Sequence, residues 1–527
     1  MVSFCQRIRI EVANETDARR PSTTKIDLLK RDEVRDFQLP TGIREMINEK
    51  FKIDSSEQIR SCLVDREEVE PDNEILRILK ENFSGYEISY AFSDRYLHSF
   101  GRSSPEILSL LNGGKLKPFA AVLYPDSTNV QDLMPLLKKN KIKAAVSGGG
   151  TSVTAPFLFM DLTGIVCIDT LHLDEIEIGK NYVKAGSGVR GIDLESKLNS
   201  SGRTCGHFPE SMFHSTVGGW VSTKSSGQES NFYGDIEDIL IGVRIERSDG
   251  EISDGVYPRE SAGIDGKSIA IGSEGKTGLI TEVILKTFKI PENRYYESRL
   301  FHSFKEGLDF LEDQSKYPAV IRLSDETETE YLLRSTEDSR GKRILFSYAK
   351  TRGMKLPGSS LLILVGNEKI SLNGKAGIKL GSAISHMWER NRYGRPEIGN
   401  ALWGLGLVPD TMETSCRWED AYSLYKETIG TFQRETRSKN IHGVIMCHAS
   451  HMYRLGPALY FTFITDVKEY EDLLSIRNSI SETFSSCNGA ITHHHGIGSL
   501  FMPMNNPMKA KIMNNLIDPV LSGSEHD

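Results

Sequence analysis

The densest group of chemically active side chains is a run of three histidines, His493, His494 and His495, followed by Gly496. Imidazoles titrate near neutral pH, so they suit proton transfer and anion binding. In an extended segment alternate side chains face opposite ways, and three adjacent imidazoles then do not converge easily on one ion. We therefore predict proton-transfer roles and no metal site, although the run by itself is equally consistent with a solvated loop.

A second candidate site is the hexapeptide SGGGTS at residues 147–152. Consecutive glycines carry no Cβ atoms, so their N–H groups can approach a diphosphate closely. The hexapeptide lacks the Gly-Lys-Ser/Thr ending of a Walker loop and does not fit GxGxxG. Two further stretches rich in glycine and hydroxyl residues lie at 209–238 and 271–278. When read alone, the hexapeptide is equally consistent with a flexible turn, and the stretch at 209–238 is at least as consistent with an ordinary surface loop.

The hydrophobic pattern predicts short strands and helices around this hexapeptide. An apolar run at 120–124 ends at a proline and indicates a strand, and the apolar spacing at 126–139 indicates a helix. A second strand at 142–146 leads directly into the hexapeptide, and Asp249-Gly250 is a hairpin signal. This mixture predicts an α+β fold. Further strands are predicted at 165–168, 182–185, 239–246 and 279–288, and helices at 41–51, 72–82, 470–484 and 507–521.

Composition narrows the class of protein. A chain of 527 residues is long enough for about two to four domains. The net charge of -8 argues against nucleic acid as a partner. The longest apolar runs fall well short of the ~20 residues that a membrane span needs, and no signal segment opens the chain. The seven cysteines are scattered without a CxxC motif, which is typical of reduced thiols and predicts a cytoplasmic protein.

Taken together and in this order, the glycine-rich stretches resemble the PCMH-type FAD-binding domain of the vanillyl-alcohol-oxidase family of flavoproteins. Within that family the chain is similar to the alkylglycerone-phosphate synthases, also called alkyldihydroxyacetonephosphate synthases. The likeness extends from about Arg95 into the C-terminal region. The motifs that carry it are SGGGTSV, STVGGWVSTKSSGQESNFYGDIED, GSEGKTGLITE, METSCRW and HHHGIG.

The resemblance implies an α+β fold made of a PCMH-type FAD-binding domain, an α+β substrate cap and a helical C-terminal segment. On this basis we expect a mostly helical N-terminal region at 1–114 and the FAD-binding domain at 115–295. The cap would follow at 296–467. The C-terminal segment at 468–527 would carry the histidine run.

The resemblance also implies FAD, bound noncovalently, as the cofactor. Tyr460 and the three histidines would handle protons, and Arg322 would orient the substrate or stabilise negative charge. Taken alone, Tyr460 would be a packed strand aromatic and Arg322 a salt-bridged arginine. The residues that the same motifs place at FAD are Ser147, Gly148, Gly149, Gly150, Thr151, Ser152, Pro209, Ser215, Thr216, Gly218, Gly219, Ser222, Ser226, Gly227, Glu274, Gly275 and Ile280.

Synthases of this family exchange the acyl group of acyl-dihydroxyacetone phosphate for a fatty alcohol through a flavin N5 adduct, a step of ether lipid synthesis without net redox change. This chain departs from their pattern at one place. The arginine that grips the substrate phosphate falls at Gly399, which offers no cationic fork. Arg392 and Arg395 are the substitutes that we consider.

The alternative is a FAD-linked oxidoreductase, an oxidase or dehydrogenase of a 2-hydroxy acid or alcohol. Metal-dependent dehydrogenases of this fold carry HxxxxxxH in the cap. Here the aligned positions are Tyr453 and Tyr460, which are poor metal ligands, and His448 and His451 have a different spacing. For partners, we expect a small-molecule or lipid substrate and no nucleic acid. The resemblance implies a homodimer, and a lipid substrate favours peripheral contact with a membrane.

Overall fold

The structure is a computed structural model that describes residues 23–29, 39–53, 62–158, 160–335, 340–501, 511 and 514–521. For residues 23, 340–343, 345 and 395–397 it describes the backbone alone. Much of the helix predicted at 507–521 therefore lies outside the described residues. Residues 517–521 form no helix, so that end of the prediction is wrong. Within the described residues, no helix is both long and apolar enough to span a bilayer.

The first described elements are helices and short strands that lead into the first large sheet. Both predicted helices are confirmed, and Asp72 caps the second by accepting the N–H of Glu74. The first two strands pair with each other, whereas the third joins the sheet that follows. The elements are β1 Thr23–Asp27, α1 Thr41–Phe51, β2 Leu63–Glu67, α2 Asn73–Asn82, β3 Glu87–Ser89, α3 Phe92–His98 and α4 Ser104–Leu111.

The first large sheet has four strands in the order β3-β4-β6-β5, with β6 parallel to both β4 and β5. Its apolar face packs against α2 and α5. Because β5 ends at Ser147, the glycine hexapeptide begins at the carboxyl end of a parallel strand. The elements are β4 Ala121–Tyr124, α5 Val130–Lys139, β5 Lys143–Ser147 and β6 Ile165–Asp169.

An antiparallel sheet of five strands follows, in the order β11-β10-β12-β8-β7. The predicted hairpin at Asp249-Gly250 is confirmed as the turn between β10 and β11. The buried Trp220 of α7 packs in the core on this sheet. The elements are β7 Ile176–Ile178, β8 Tyr182–Gly186, α6 Gly191–Asn199, β9 Arg203–Thr204, α7 Val217–Thr223, α8 Ser230–Tyr233, α9 Ile236–Ile239, β10 Leu240–Arg247, β11 Gly250–Ser253, α10 Gly266–Ala270, β12 Leu279–Lys286 and β13 Phe288–Lys289.

The third sheet is antiparallel and has seven strands, in the order β17-β14-β16-β15-β19-β20-β18. Helices α16 and α17 contribute to the apolar core on this sheet. The chain leaves α17 at Ser486, and the histidine run follows close to β18 and β20. The elements are β14 Tyr295–Phe301, α11 Phe304–Glu312, β15 Val320–Ser324, α12 Glu326–Arg334, α13 Arg340–Thr351, β16 Ser360–Gly366, β17 Ile378–Gly381, α14 Ala383–Asn391, α15 Arg395–Gly404, β18 Val408–Ser415, α16 Trp418–Ser438, β19 Gly443–Tyr453, β20 Gly456–Thr465 and α17 Tyr470–Ser486.

Candidate active site

The histidine run is wrapped around one buried carboxylate, that of Glu413 in β18. Glu413 Oε1 accepts the backbone N–H groups of His493, His494 and His495 at 3.0, 2.8 and 3.0 Å, and the Thr492 hydroxyl at 2.9 Å. Burial raises the pKa of Glu413, but the nearby imidazoles and these hydrogen bonds outweigh burial and hold the pKa below its ordinary value. The run is thus a turn around an anion rather than an extended segment, so strand alternation does not separate its side chains.

A chain of hydrogen-bonding side chains joins Asp235, which directly precedes α9, to Tyr460, the predicted catalytic tyrosine. The Tyr453 hydroxyl lies 2.7 Å from Asp235 Oδ2 and 2.6 Å from His493 Nε2. His493 Nδ1 lies 3.0 Å from His494 Nδ1, which in turn lies 3.0 Å from the Tyr460 hydroxyl. The structure therefore brings Tyr460, His493 and His494 together in one network.

Two further histidines complete an aromatic cluster around Tyr460. The ring of His448 stacks on Tyr460 at 4.8 Å between centroids, and that of His451 lies at 5.7 Å. Burial, assisted by neighbouring imidazoles, lowers the pKa of His451 to about 3 and holds the pKa of His494 well below its usual range. Burial also lowers the pKa of His493 and raises that of Tyr460. At neutral pH these groups are uncharged.

Arg322 reaches this cluster through a neighbour. It is buried in β15, where its Nη2 forms an ion pair with Glu328 Oε1 and lies 3.0 Å from His448 Nδ1. The ring of His448 also stacks on Tyr460, so Arg322 contacts the tyrosine only through this histidine. The positive charge of Arg322 is balanced by Glu328, and its role in orienting substrate stays a prediction.

His495 takes part in a group of atoms with metal-binding spacing. Potential ligand atoms of Glu413, His494 and His495 all lie within 4.8 Å of one another. A cation bound through Glu413 Oε1 would have to displace donors, because this oxygen already accepts four hydrogen bonds. The proton-transfer role of His495, without a metal, stays a prediction.

The glycine hexapeptide packs closely against the second glycine-rich stretch, and its role as a cradle for the FAD diphosphate stays a prediction. A Cβ added at Gly149 would lie 2.0 Å from the carbonyl oxygen of His214, and one at Gly148 would lie 2.4 Å from Thr216 Oγ1. Gly150 has a positive φ of 60°. The third stretch joins the other two, because the N–H of Glu274 donates to the Ser222 carbonyl at 2.9 Å. The three predicted cofactor stretches are therefore neighbours, as FAD binding requires.

The histidine run is fixed to this cradle by the residues that follow it. Glu274 Oε1 accepts the N–H of Ile497, and also that of Gly498 at 3.1 Å. The Ser499 N–H donates to the Thr154 carbonyl at 3.1 Å, and a Cβ at Gly498 would lie 2.1 Å from the same oxygen. The carboxylate of Glu274, predicted at FAD, thus holds the histidine loop against the end of the glycine loop.

The structure gives no support to Arg392 as a substitute for the missing phosphate-binding arginine. Its Nη1 lies 3.0 Å from Glu229 Oε1, and its guanidinium stacks over Phe208 and Tyr393 at 4.9 and 5.0 Å. Gly399 lies in α15 and has Pro409 as its nearest neighbour, 4.0 Å from an added Cβ. The side chain of Arg395 lies outside the described residues.

Sequence reasoning missed Glu413 and Asp235 as members of the site. Both lie inside motifs that carry the family resemblance, METSCRW and STVGGWVSTKSSGQESNFYGDIED. Their partners are remote in the chain: Glu413 binds the N–H of a residue 80 positions away. Membership of a motif was the available signal, whereas the contacts themselves depend on the folded arrangement.

Comparisons with known proteins agree with this geometry. A FAD binding domain family matches residues 118–255, and the C-terminal domain family of FAD linked oxidases matches residues 373–513. The alkyldihydroxyacetonephosphate synthase of Trypanosoma brucei brucei is 30% identical over 444 residues, which cover 78% of this chain and 72% of that protein. An uncharacterized FAD-linked oxidoreductase of Escherichia coli K12, YgcU, is 27% identical over 72% of this chain and 81% of its own length.

A solved structure of an alkyldihydroxyacetonephosphate synthase has a TM-score of 0.75 and 24% identity, with coverage of 91% of this chain and 89% of that one. The fold and the site together define a FAD-dependent flavoenzyme with an α+β PCMH-type cofactor domain. The chain belongs to the alkyldihydroxyacetonephosphate synthase family.

Proposed function

We propose that this enzyme replaces the acyl group of acyl-dihydroxyacetone phosphate with a fatty alcohol. One carbon–oxygen bond to the fatty acid breaks and one to the alcohol forms, so the overall reaction needs no oxidant. The observation that carries the proposal is the contact of 3.0 Å between the Tyr460 hydroxyl and His494 Nδ1, on a loop anchored to the glycine cradle. The family likeness described above supports the same reaction.

FAD, held by the three neighbouring stretches, would supply the electron-accepting ring that takes part in the exchange. The residues of this chain would do the proton chemistry. Tyr460 is protonated at neutral pH, so it can donate a proton to a leaving or developing oxygen, and the neutral His494 can accept one. Glu413 holds the histidine backbone in place throughout.

A direct test is to incubate the holoenzyme anaerobically with acyl-dihydroxyacetone phosphate and an isotopically labelled fatty alcohol. We expect free fatty acid and a labelled ether product in equal amounts, with no net reduction of the flavin. Tyr460→Phe should lose about 10²-fold or more in kcat while it keeps bound FAD. Absence of labelled ether product from a fully flavin-loaded enzyme would overturn the proposal.

The second candidate function is oxidation of a 2-hydroxy acid or alcohol. It is favoured by the absence of an arginine at Gly399 and by the engagement of Arg392 with Glu229, because a hydroxy acid carries no phosphate to bind. Stoichiometric loss of the oxidised flavin spectrum on addition of a hydroxy acid, without ether product, would establish it instead. The homodimer and the membrane contact expected from the sequence stay predictions.

A further inference from the structure

The Tyr453 hydroxyl has one proton, and besides the Ser226 side chain it is hydrogen-bonded to two groups that could accept this proton. It lies 2.7 Å from Asp235 Oδ2 and 2.6 Å from His493 Nε2. Burial raises the pKa of Asp235, but hydrogen bonds from Ser226 and Tyr453 are among the interactions that hold it below its ordinary value. An ionised carboxylate can only accept hydrogen bonds. If Tyr453 donated to His493, lone pairs of the phenol oxygen and the carboxylate would face each other, so Tyr453 donates to Asp235.

This direction determines which nitrogens of the next two rings carry hydrogen. The Tyr453 oxygen accepts from His493, so the proton of neutral His493 is on Nε2 and its Nδ1 has the lone pair. His494 Nδ1, 3.0 Å away, must then be the donor in that contact. The same nitrogen lies 3.0 Å from the Tyr460 hydroxyl. The Tyr460 oxygen therefore shares the hydrogen of His494, and Tyr460 keeps its own proton for another acceptor.

We propose that Asp235 is a positioning residue that acts through Tyr453 to fix His493 as the Nε2–H tautomer and His494 as the Nδ1–H tautomer, and so leaves the Tyr460 proton for the substrate. Nε2 of His494 then carries the lone pair of that ring, which separates a proton donor and a proton acceptor onto two neighbouring side chains. The last step rests on the proposed function of Tyr460, whereas the tautomers themselves do not.

Two variants interrupt the series of hydrogen bonds at different points. Asp235→Asn removes the charge but keeps the shape, and its amide can donate to the Tyr453 oxygen. Tyr453 would then donate to His493, the proton of His493 would move to Nδ1, and Tyr460 would have to donate to His494. Tyr453→Phe removes the link altogether. Asp238→Asn is the matched control, because this exposed carboxylate lies in the same helical turn and accepts the backbone N–H of Asp235 at 2.9 Å.

The tautomers are read directly by ¹H–¹⁵N NMR of the holoenzyme labelled in its histidine rings, with His493→Gln and His494→Gln for assignment. We expect the Nε2–H form of His493 and the Nδ1–H form of His494 in the wild type and in Asp238→Asn. In Asp235→Asn the signal of His493 should move to the Nδ1–H form. A wild-type spectrum with His493 protonated on Nδ1 would overturn the proposal, and this measurement needs no variant that folds poorly.

Kinetics supply the functional readout. We expect kcat to fall by at least about 10-fold in both Asp235→Asn and Tyr453→Phe, with KM and the amount of bound FAD unchanged. Unchanged kcat, or reduced kcat with wild-type tautomers in Asp235→Asn, would contradict the positioning role. If the tautomers are as expected but no ether product forms in the wild type, the proposed function fails and the tautomer assignment stands. If the wild type makes ether product but its histidines have the opposite tautomers, the proposed function stands and the tautomer assignment fails.

Discussion

The buried carboxylate of Glu413 binds the backbone of the histidine run directly. One carboxylate oxygen accepts four hydrogen bonds, three of them from consecutive backbone N–H groups. Hydrogen bonds to a charged acceptor stabilise by about 1.5–3 kcal/mol each, although they are not additive. Because this carboxylate is buried, loss of its hydrogen bonds would lower the free energy of unfolding. The position of Tyr460 opposite Glu413 on the paired strand joins both sides of the site.

We expect Glu413→Gln to lower the free energy of unfolding of the holoenzyme by about 2–4 kcal/mol, because a neutral amide is a weaker acceptor for these donors. Urea denaturation followed by circular dichroism would measure it. Glu419→Gln, an exposed carboxylate at the start of α16, is the matched control and should change the midpoint little. A Glu413→Gln protein as stable as the control would show that the carboxylate does not hold the loop.

The effect of Glu413 has a defined pH dependence. The folded-state pKa is depressed below the ordinary value of 4.5, so the carboxylate contributes stability above that value and loses the contribution as pH falls through the folded-state pKa. The difference in unfolding free energy between wild type and Glu413→Gln should therefore be constant from pH 6 to 8, a window chosen to lie above both pKa values, and shrink below about pH 4.5. A difference that grows in acid would contradict this assignment of charge.

Gly149 tests the cofactor cradle. A Cβ there would meet the carbonyl of His214 at 2.0 Å, whereas a Cβ at Gly164 would meet no atom within 4 Å. Gly149→Ala should therefore purify with less than about a tenth of the wild-type flavin, and its melting temperature should no longer rise when FAD is added. Gly164→Ala should bind FAD normally. Full flavin content in both variants would exclude the cradle as a close contact of the cofactor.

At the scale of elements, His98 links helix α3 to the end of strand β6. Its Nε2 lies 2.7 Å from Asp169 Oδ2, and its Nδ1 lies 3.2 Å from Asp94 Oδ1. Burial alone would lower the pKa of His98, but the two carboxylates outweigh it and raise the pKa to about 10. The imidazolium therefore connects the region before the FAD-binding domain to the first large sheet.

We expect His98→Gln to destabilise the protein by about 2–4 kcal/mol at pH 6, because the two carboxylates stabilise the charged imidazole only in the folded state. A raised folded-state pKa means that the stabilisation is complete below the unfolded value of 6.5 and is lost as pH rises through about 10. Unfolding free energies measured from pH 6 to 10 should therefore converge for wild type and variant. His172→Gln, at an exposed histidine close by, is the control and should change the unfolding free energy little.

The elements were more predictable from sequence than the contacts between them. Helix α1 and the turn at Asp249-Gly250 were confirmed because periodicity and turn chemistry act over a few residues. The site depends on distant pairs instead. No local pattern indicates that Glu413 binds the backbone of a histidine run 80 residues later. Nor does one indicate that Tyr453, at the end of β19, contacts Asp235, which precedes α9. The family motifs pointed to the participants, and the folded chain determined their partners.

At the scale of the whole molecule, residues 229–235 of the cofactor domain contact the seven-stranded sheet. The Asn231 side chain accepts the Met452 N–H at 2.8 Å, and the Ser230 hydroxyl lies 2.6 Å from His451 Nδ1. Asp235, in the same stretch, sets the hydrogen-bonding direction proposed above. We call the contact of residues 229–235 with the seven-stranded sheet the seam, and it contains the residue that we propose to fix the tautomers of the site.

Glu229 is the charged centre of this seam, since it is buried and its carboxylate pairs with both Arg294 and Arg392. Glu229→Gln would remove the counter-ion that Arg294 and Arg392 share, and Arg294 would keep its ion pair with Glu389. Removal of one partner from a buried pair costs about 3–5 kcal/mol, and Arg392 would bear most of this cost. We expect a lower melting temperature, faster proteolysis at this seam and loss of FAD. Glu368→Gln, which breaks an exposed pair with Lys316, is the control and should change none of these. If Glu229→Gln melted and retained flavin like the control, the seam would be held by its apolar and neutral contacts rather than by this charge cluster.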